Sequence, residues 1–214
     1  MQSVALINYG SGNLRSAEKA LQKAAAGLAR PPTIVTTGDP EIVAKADRVV
    51  LPGVGAFASC MGALQSRPGL IEAMTHAVQA KGAPFLGVCV GLQLLATRGL
   101  EFGETAGLDW LAGDVKRLEP DSPHCKIPHM GWNSLDGALP GALFAGLERG
   151  THMYFTHSFA FFPSNGADIA ATTDHGGVFC AAALSGNVAG VQFHPEKSQA
   201  AGLRLLGNFL EWAP

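Results

Sequence analysis

A cysteine stands between two glycines in Gly87-Val88-Cys89-Val90-Gly91, with the apolar run Pro84-Phe85-Leu86 before it and Leu92-Gln93-Leu94-Leu95 behind. This is the spacing of a nucleophile elbow, a sharp strand-to-helix turn that lifts one side chain out of a sheet. Glycine suits both flanks because it tolerates close backbone approach and unusual dihedral angles. The first N–H groups of the helix that follows would face the sulfur and favour its anionic, nucleophilic form. The pentapeptide alone fits a buried core cysteine equally well, since free cysteine is among the most buried residue types.

A thiol nucleophile needs a base, and the base needs an orienting group. Of the seven histidines, only His194 directly follows a strand pattern with an acid beside it, in Val191-Gln192-Phe193-His194-Pro195-Glu196-Lys197. The proline stiffens the backbone, so Glu196 can hold one ring nitrogen while the other faces the thiol. Alone, the tripeptide also reads as a loop histidine with a first-turn acid. Beside the cysteine elbow, a triad of Cys89, His194 and Glu196 is the better reading. Acyl transfer also needs oxyanion donors. The N–H of Val90 is one. The turn Pro52-Gly53-Val54-Gly55 offers Val54 or Gly55 as a second, at a strand end where open α/β sheets bind ligands, although such glycine turns are common in any fold.

Strand and helix patterns alternate through the first half. Strands are expected at Val4–Asn8, Thr33–Thr36, Arg48–Leu51 (closed by Pro52-Gly53) and Phe85–Val88. Helices are expected over Asn13–Gly27, after Pro40 and over Leu70–Ala80. This alternation predicts an α/β fold with a mostly parallel central sheet flanked by helices. The second half is β-rich, with runs at Thr151–Phe155, Asp168–Thr173, Val178–Ala183 and Val188–Gln192 that suggest antiparallel strands or hairpins. A helix over Gln199–Trp212 closes the chain, and residues 1–214 read as one domain.

Composition narrows the function classes. The 15 Lys+Arg balance 17 Asp+Glu, so there is no basic stripe for nucleic acid. The longest apolar stretch, Ala83 to Ala96, is interrupted and too short to cross a membrane. Met1 to Ile7 lacks the basic start and cleavage site of a secretion signal. Four widely spaced cysteines (Cys60, Cys89, Cys125, Cys180) suit free thiols in a reducing cytoplasm. Arg15 stands where a third glycine would complete a dinucleotide fingerprint after Gly10 and Gly12. His152 and His157 point to opposite faces of a strand and cannot form a local metal pair. His124, Cys125 and His129 could in principle ligate a metal, but Pro123 and Pro128 mark an irregular loop, and a solvated or packing role is the better reading.

The elbow, the downstream His-Pro-Glu and the upstream Pro-Gly-Val-Gly together resemble the class I (triad) glutamine amidotransferases over nearly the whole chain. Further segments are similar to the glutaminase subunits of imidazole glycerol phosphate synthase: Ile7–Ser16, Pro52–Phe57, Pro128–Asn133 and Tyr154–Phe159. Glutamine hydrolysis in general does not need those segments, which makes them discriminating. The resemblance implies that Cys89 attacks the amide of L-glutamine, with His194 as base and then acid, oriented by Glu196. It assigns glutamine contacts to Gly53, Gln93, Ser158 and Phe159, and a second oxyanion donor to the Val54–Gly55 strand after a backbone change. Asn13, Tyr154 and Lys197 would border the ammonia route at the interface with a (β/α)₈-barrel cyclase subunit. That subunit would form a heterodimer with this chain and make imidazole glycerol phosphate and aminoimidazole carboxamide ribotide, in histidine biosynthesis. No metal or organic cofactor is implied.

Asn8 stands where aspartate is usual, Phe159 where tyrosine is common, and Val90 and Leu92 where other apolar residues are typical. A self-sufficient cysteine γ-glutamyl hydrolase on the same fold is the rival enzyme, but it leaves the Asn13–Ser16 and Pro128–Asn133 segments without a purpose. A non-catalytic interaction module has no physical need for all three triad residues.

Overall fold

A computed structural model describes residues 2–214; the Met1 of the expected signal-free start lies outside them. The first half runs β1 (Ser3–Ile7), α1 (Leu14–Ala25), β2 (Thr33–Thr37), α2 (Pro40–Lys45), β3 (Arg48–Gly53), α3 (Phe57–Gln65), α4 (Leu70–Thr75) and β4 (Phe85–Cys89). Then come α5 (Val90–Gln93), β5 (Arg98–Gly99), β6 (Thr105–Ala106), β7 (Gly113–Arg117), β8 (His129–Ser134) and β9 (His152–His157). The chain ends with β10 (Phe159–Pro163), β11 (Ile169–Asp174), β12 (Val178–Ser185), β13 (Val188–Val191) and α6 (Gln199–Glu211).

Local chemistry explains the helix starts. Asn13 caps α1 by accepting from the Ser16 N–H, and Asp39 caps α2 by accepting from Glu41, with Pro40 at the first helical position. Helix α1 buries Ala20, Leu21 and Ala25 and packs on α6.

Seven strands form the main sheet in the order β11-β12-β13-β4-β3-β1-β2. The pairs β13·β4, β4·β3, β3·β1 and β1·β2 are parallel, while β12 joins β11 and β13 antiparallel. Strands β3, β4 and β13 are buried at every residue, as expected of parallel strands covered on both faces. A second sheet (β10-β7-β5-β6) and the pair β8-β9 carry the rest.

Register decides where the chemistry sits. Gly53 pairs with Cys89 across β3 and β4, and Val191 pairs with Val88 across β13 and β4. The turn after β3, the elbow after β4 and the segment leading to His194 therefore emerge side by side at one sheet end.

Several expectations need correcting. Helix α3 was not anticipated, although its buried Phe57, Cys60, Met61 and Leu64 follow helical spacing; the glycines just ahead of it drew the reading toward a turn. Pro52 and Gly53 belong to β3 rather than closing it. The helix behind Cys89 lasts only four residues. Leu92, Leu94, Leu95 and Ala96 are all buried, so this run has no solvated face to sustain a longer amphipathic helix. Strand β13 is antiparallel to β12 yet parallel to β4, which joins the β-rich half to the parallel sheet. Strands β7, β8 and β10 fall within the β-rich second half without having been placed individually, and the two-residue strands β5 and β6 were not anticipated.

Candidate active site

Cys89 occupies the elbow with φ 55° and ψ −111°, a strained conformation for a residue with a side chain. Its neighbours must be small. A Cβ on Gly87 would come to 2.5 Å from the Gly91 carbonyl oxygen, and a Cβ on Gly91 would strike the Leu51 carbonyl.

His194 emerges just beyond β13, its backbone N–H donating to the Tyr154 carbonyl at 2.9 Å. Ser198 tightens this clamp. Its Oγ donates to the His194 carbonyl at 2.7 Å and accepts from the Tyr154 N–H at 3.0 Å. The ring's Nδ1 lies 2.8 Å from Glu196 Oε1, and the ring shares a pocket with the Cys89 thiol. Burial on its own disfavours a charged ring, yet the hydrogen bonds and charges of Cys89 and Glu196 outweigh it and push the pKa of His194 up to about 9. The surroundings therefore favour the proton on His194. Cys180 is the contrast: burial pushes its thiol up to about 12, and it merely donates to the Ala182 carbonyl.

A pocket of about 310 Å³ opens over Cys89 and His194, lined also by Val54, Gly55, Val90, Gln93, Ser158, Phe159 and Lys197. Seven of the residues anticipated around the nucleophile are thus gathered in one cavity. Gly53 lies instead beside Cys89 in the sheet and lines a small cavity behind the triad with Asn13, Val54, His194 and Glu196. Lys197 sits 5.6 Å from the centre of the Tyr154 ring, and Trp132 meets that ring edge-on. A larger cavity, of about 500 Å³, is lined by Lys116, Arg117, His175 and Val178 among others and contains none of the triad. Size alone does not choose the site.

Four residues near the nucleophile escaped the sequence reading. Glu101 and Thr156 line the pocket, and the Glu101 carboxylate accepts from the Phe57 N–H at 2.8 Å. His157 lines it too, and its Nδ1 lies 2.9 Å from the Phe159 carbonyl. Gln192 is fully buried, with its Nε2 3.6 Å from Cys89 Sγ. Its position two residues before His194 was the only available signal. The His157 ring continues outward: its Nε2 is 3.1 Å from His129 Nδ1, and His129 Nε2 is 3.2 Å from Asn133 Nδ2. Burial, before any other cause, lowers His157 to about 3 and His129 to about 4, so both rings are neutral at physiological pH.

The family model for glutamine amidotransferase class-I matches residues 5–212. This chain belongs to the class I glutamine amidotransferases. Among curated members it is 64% identical, over 100% of both chains, to a protein of Caulobacter vibrioides named imidazole glycerol phosphate synthase subunit HisH. Proteins of the same name from Rhodospirillum rubrum (99% of both chains) and Zymomonas mobilis (99% of this chain and 97% of the relative) are 55% and 52% identical. A crystal structure described as a glutamine amidotransferase aligns over 97% of both chains with a TM-score of 0.70 at 19% identity. The glutaminase domain of Trypanosoma brucei CTPS with bound acivicin aligns over 100% of this chain and 96% of its own, with a TM-score of 0.66 at 15% identity. At those identities the likeness extends to the amidotransferase fold. The parallel sheet with an antiparallel extension is thus the fold of the family.

Proposed function

We propose that this chain is the glutaminase subunit of an imidazole glycerol phosphate synthase, serving histidine biosynthesis, and that residues 1–214 form its single amidotransferase domain. The observation that carries the reading is the elbow cysteine Cys89 sharing a pocket with His194, whose ring is held by Glu196 at 2.8 Å, in a chain alike along its whole length to proteins named as that subunit.

In this reading L-glutamine enters the pocket with its side-chain amide at Cys89. Both N–H bonds of Gln93 are spent on the Phe159 carbonyl and on Gln192, which leaves its Oε1 to accept from the substrate. Glu101 supplies a carboxylate for the α-ammonium, and the Ser158–Phe159 segment receives the amino-acid end. The Cys89 thiolate attacks the amide carbon, and the Val90 N–H receives the developing oxyanion. The C–N bond then breaks as His194 gives its proton to the leaving nitrogen, which departs as ammonia and leaves a glutamyl thioester. Water attacks the thioester and gives a proton to His194. The C–S bond breaks, releasing glutamate and restoring the thiolate. Glu196 keeps the ring oriented throughout.

The Val54–Gly55 turn supplies the second oxyanion donor once its backbone has turned toward the pocket. Ammonia leaves through the small cavity by Asn13, towards a surface bearing Tyr154 and Lys197. A (β/α)₈-barrel cyclase subunit is the proposed acceptor, in a cytoplasmic heterodimer.

Glutamate release from glutamine, by the chain alone and then with the cyclase subunit and its nucleotide ligand, tests this, with Cys89→Ala as blank. Near silence alone and strong hydrolysis in the liganded complex are expected. Equal hydrolysis in both would point to a self-sufficient γ-glutamyl hydrolase and withdraw the partner.

A further inference from the structure

The carbonyl oxygen of Phe159 can only accept hydrogen bonds. The Gln93 side-chain atom 2.8 Å from it is therefore the amide nitrogen, whichever way the carboxamide is drawn. The same nitrogen lies 3.0 Å from the side chain of Gln192, so the end of Gln192 facing it must be the acceptor, Oε1. The other end of Gln192 is then the N–H₂ group, and it faces Cys89 Sγ at 3.6 Å. One backbone carbonyl thus fixes the polarity of two carboxamides and aims an N–H donor at the nucleophile. The loop is closed, because Gln93 stands on α5, directly behind the cysteine it helps to hold.

Packing alone does not account for Gln192. Its flanking residues Val191 and Phe193 are fully buried and apolar, and burying a carboxamide costs free energy unless its hydrogen bonds are made. A methionine would fill the same space without that cost. The backbone N–H of Gln192 is already tied to the Ala181 carbonyl at 2.8 Å, so the side chain is not needed to hold this segment in place.

We infer that Gln192 is a further catalytic residue: its carboxamide N–H stabilises the Cys89 sulfur anion, which it cradles together with the His194 ring. A neutral donor suits the task because it binds the anion without competing with His194 for the proton. Gln93 and the Phe159 carbonyl are its positioning groups. The glutamine in the predicted kinetics rests on the glutaminase reading; the contact with sulfur does not.

The test uses the full-length chain carrying Gln192→Met or Gln192→Leu. Neither side chain can donate; methionine keeps the length and leucine changes the shape. Steady-state glutamate release is measured with the cyclase subunit and its nucleotide ligand present. Separately, the chain alone is alkylated with iodoacetamide at neutral pH, with Cys89→Ala correcting for the other thiols. Both variants are expected to lose kcat by about tenfold with KM changed less than about twofold. Alkylation of Cys89 should slow in both. Wild-type kcat and alkylation in Gln192→Met would overturn the proposal, whether or not the leucine variant is impaired, because only shape would then matter. A loss confined to KM overturns it as well. If the methionine variant does not fold, wild-type kcat and alkylation in Gln192→Leu overturn the proposal instead. Slowed alkylation in a chain whose wild type releases no glutamate would uphold the sulfur contact while removing the glutaminase reading.

Discussion

The Tyr9 phenol donates a 2.9 Å hydrogen bond to the carbonyl of Pro52, inside the protein and across 43 residues of chain. Burial first, and then the neighbouring Cys60, raise the pKa of this phenol, so it stays protonated and able to donate. Two residues on, the Val54 carbonyl accepts from Ser11 Oγ at 2.7 Å and from Cys60 Sγ at 3.3 Å. The peptide joining Gly53 to Val54 therefore lies between two anchored carbonyls, beside the nucleophile. Any turning of this segment toward the pocket is confined to that one peptide.

Replacing Tyr9 by phenylalanine removes one anchor and leaves the Pro52 carbonyl buried without its donor. A loss of about 1–2 kcal/mol in unfolding free energy is expected, with a several-fold fall in kcat for glutamine hydrolysis. Urea unfolding and glutamate release measure the two effects. Unchanged turnover would remove Tyr9 from the positioning of the oxyanion strand.

The strained backbone at Cys89 makes a separate claim about stability. Cys89→Ala should abolish glutamine-dependent activity but spare synthesis from free ammonia in the complex. Cys89→Gly, which relieves the positive φ, should be equally inactive yet more stable than the alanine variant by about 1 kcal/mol. Thermal midpoints of the two inactive variants decide this. The opposite order would mean the elbow stores no strain.

Glu196 acts through His194, so Glu196→Gln should leave the fold intact and lower kcat by about 100-fold or more. It should also lower the pKa of His194 from about 9, because a charged hydrogen-bond partner is lost. NMR titration of the ring gives that shift directly, and an unmoved titration would contradict the assigned pairing.

Acid should destabilise the protein through His157 and His129. An unfolded histidine takes up a proton near pH 6.5, whereas the folded rings resist protonation down to about 3 and about 4. As pH falls below 6.5 the unfolded state binds more protons, and each ring steepens the loss of stability by up to about 1.4 kcal/mol per pH unit. His194 works in the other direction: its stabilisation is fully present below pH 6.5 and is lost as pH rises through about 9. Urea midpoints from pH 4.5 to 9.5 should therefore peak near neutrality, and His157→Gln should flatten the acid limb alone.

The elbow and the His-Pro-Glu segment were legible in the chain because their chemistry is local. Glycines at fixed offsets report a backbone constraint, and an acid two residues from a histidine can reach its ring without any distant support. The alternation that predicts a parallel sheet is local too, since each strand or helix carries its own period. The family motifs before and after the elbow likewise depend only on order along the chain.

What the chain could not announce is everything carried by register and by long-range hydrogen bonds. Gly53 faces Cys89 because β3 and β4 pair in one register, and a slip of one residue would aim every side chain at the other face. Glu101, Gln192 and His157 reach the nucleophile's surroundings from three separate segments of the chain, each as a residue type that suits many other roles. Their meaning comes from polarity passed between partners: the Phe159 carbonyl orients Gln93, Gln93 orients Gln192, and Gln192 turns its N–H to the sulfur. Such a series exists only once the sheet has brought residues 93, 159 and 192 together, so tertiary structure alone could decide it.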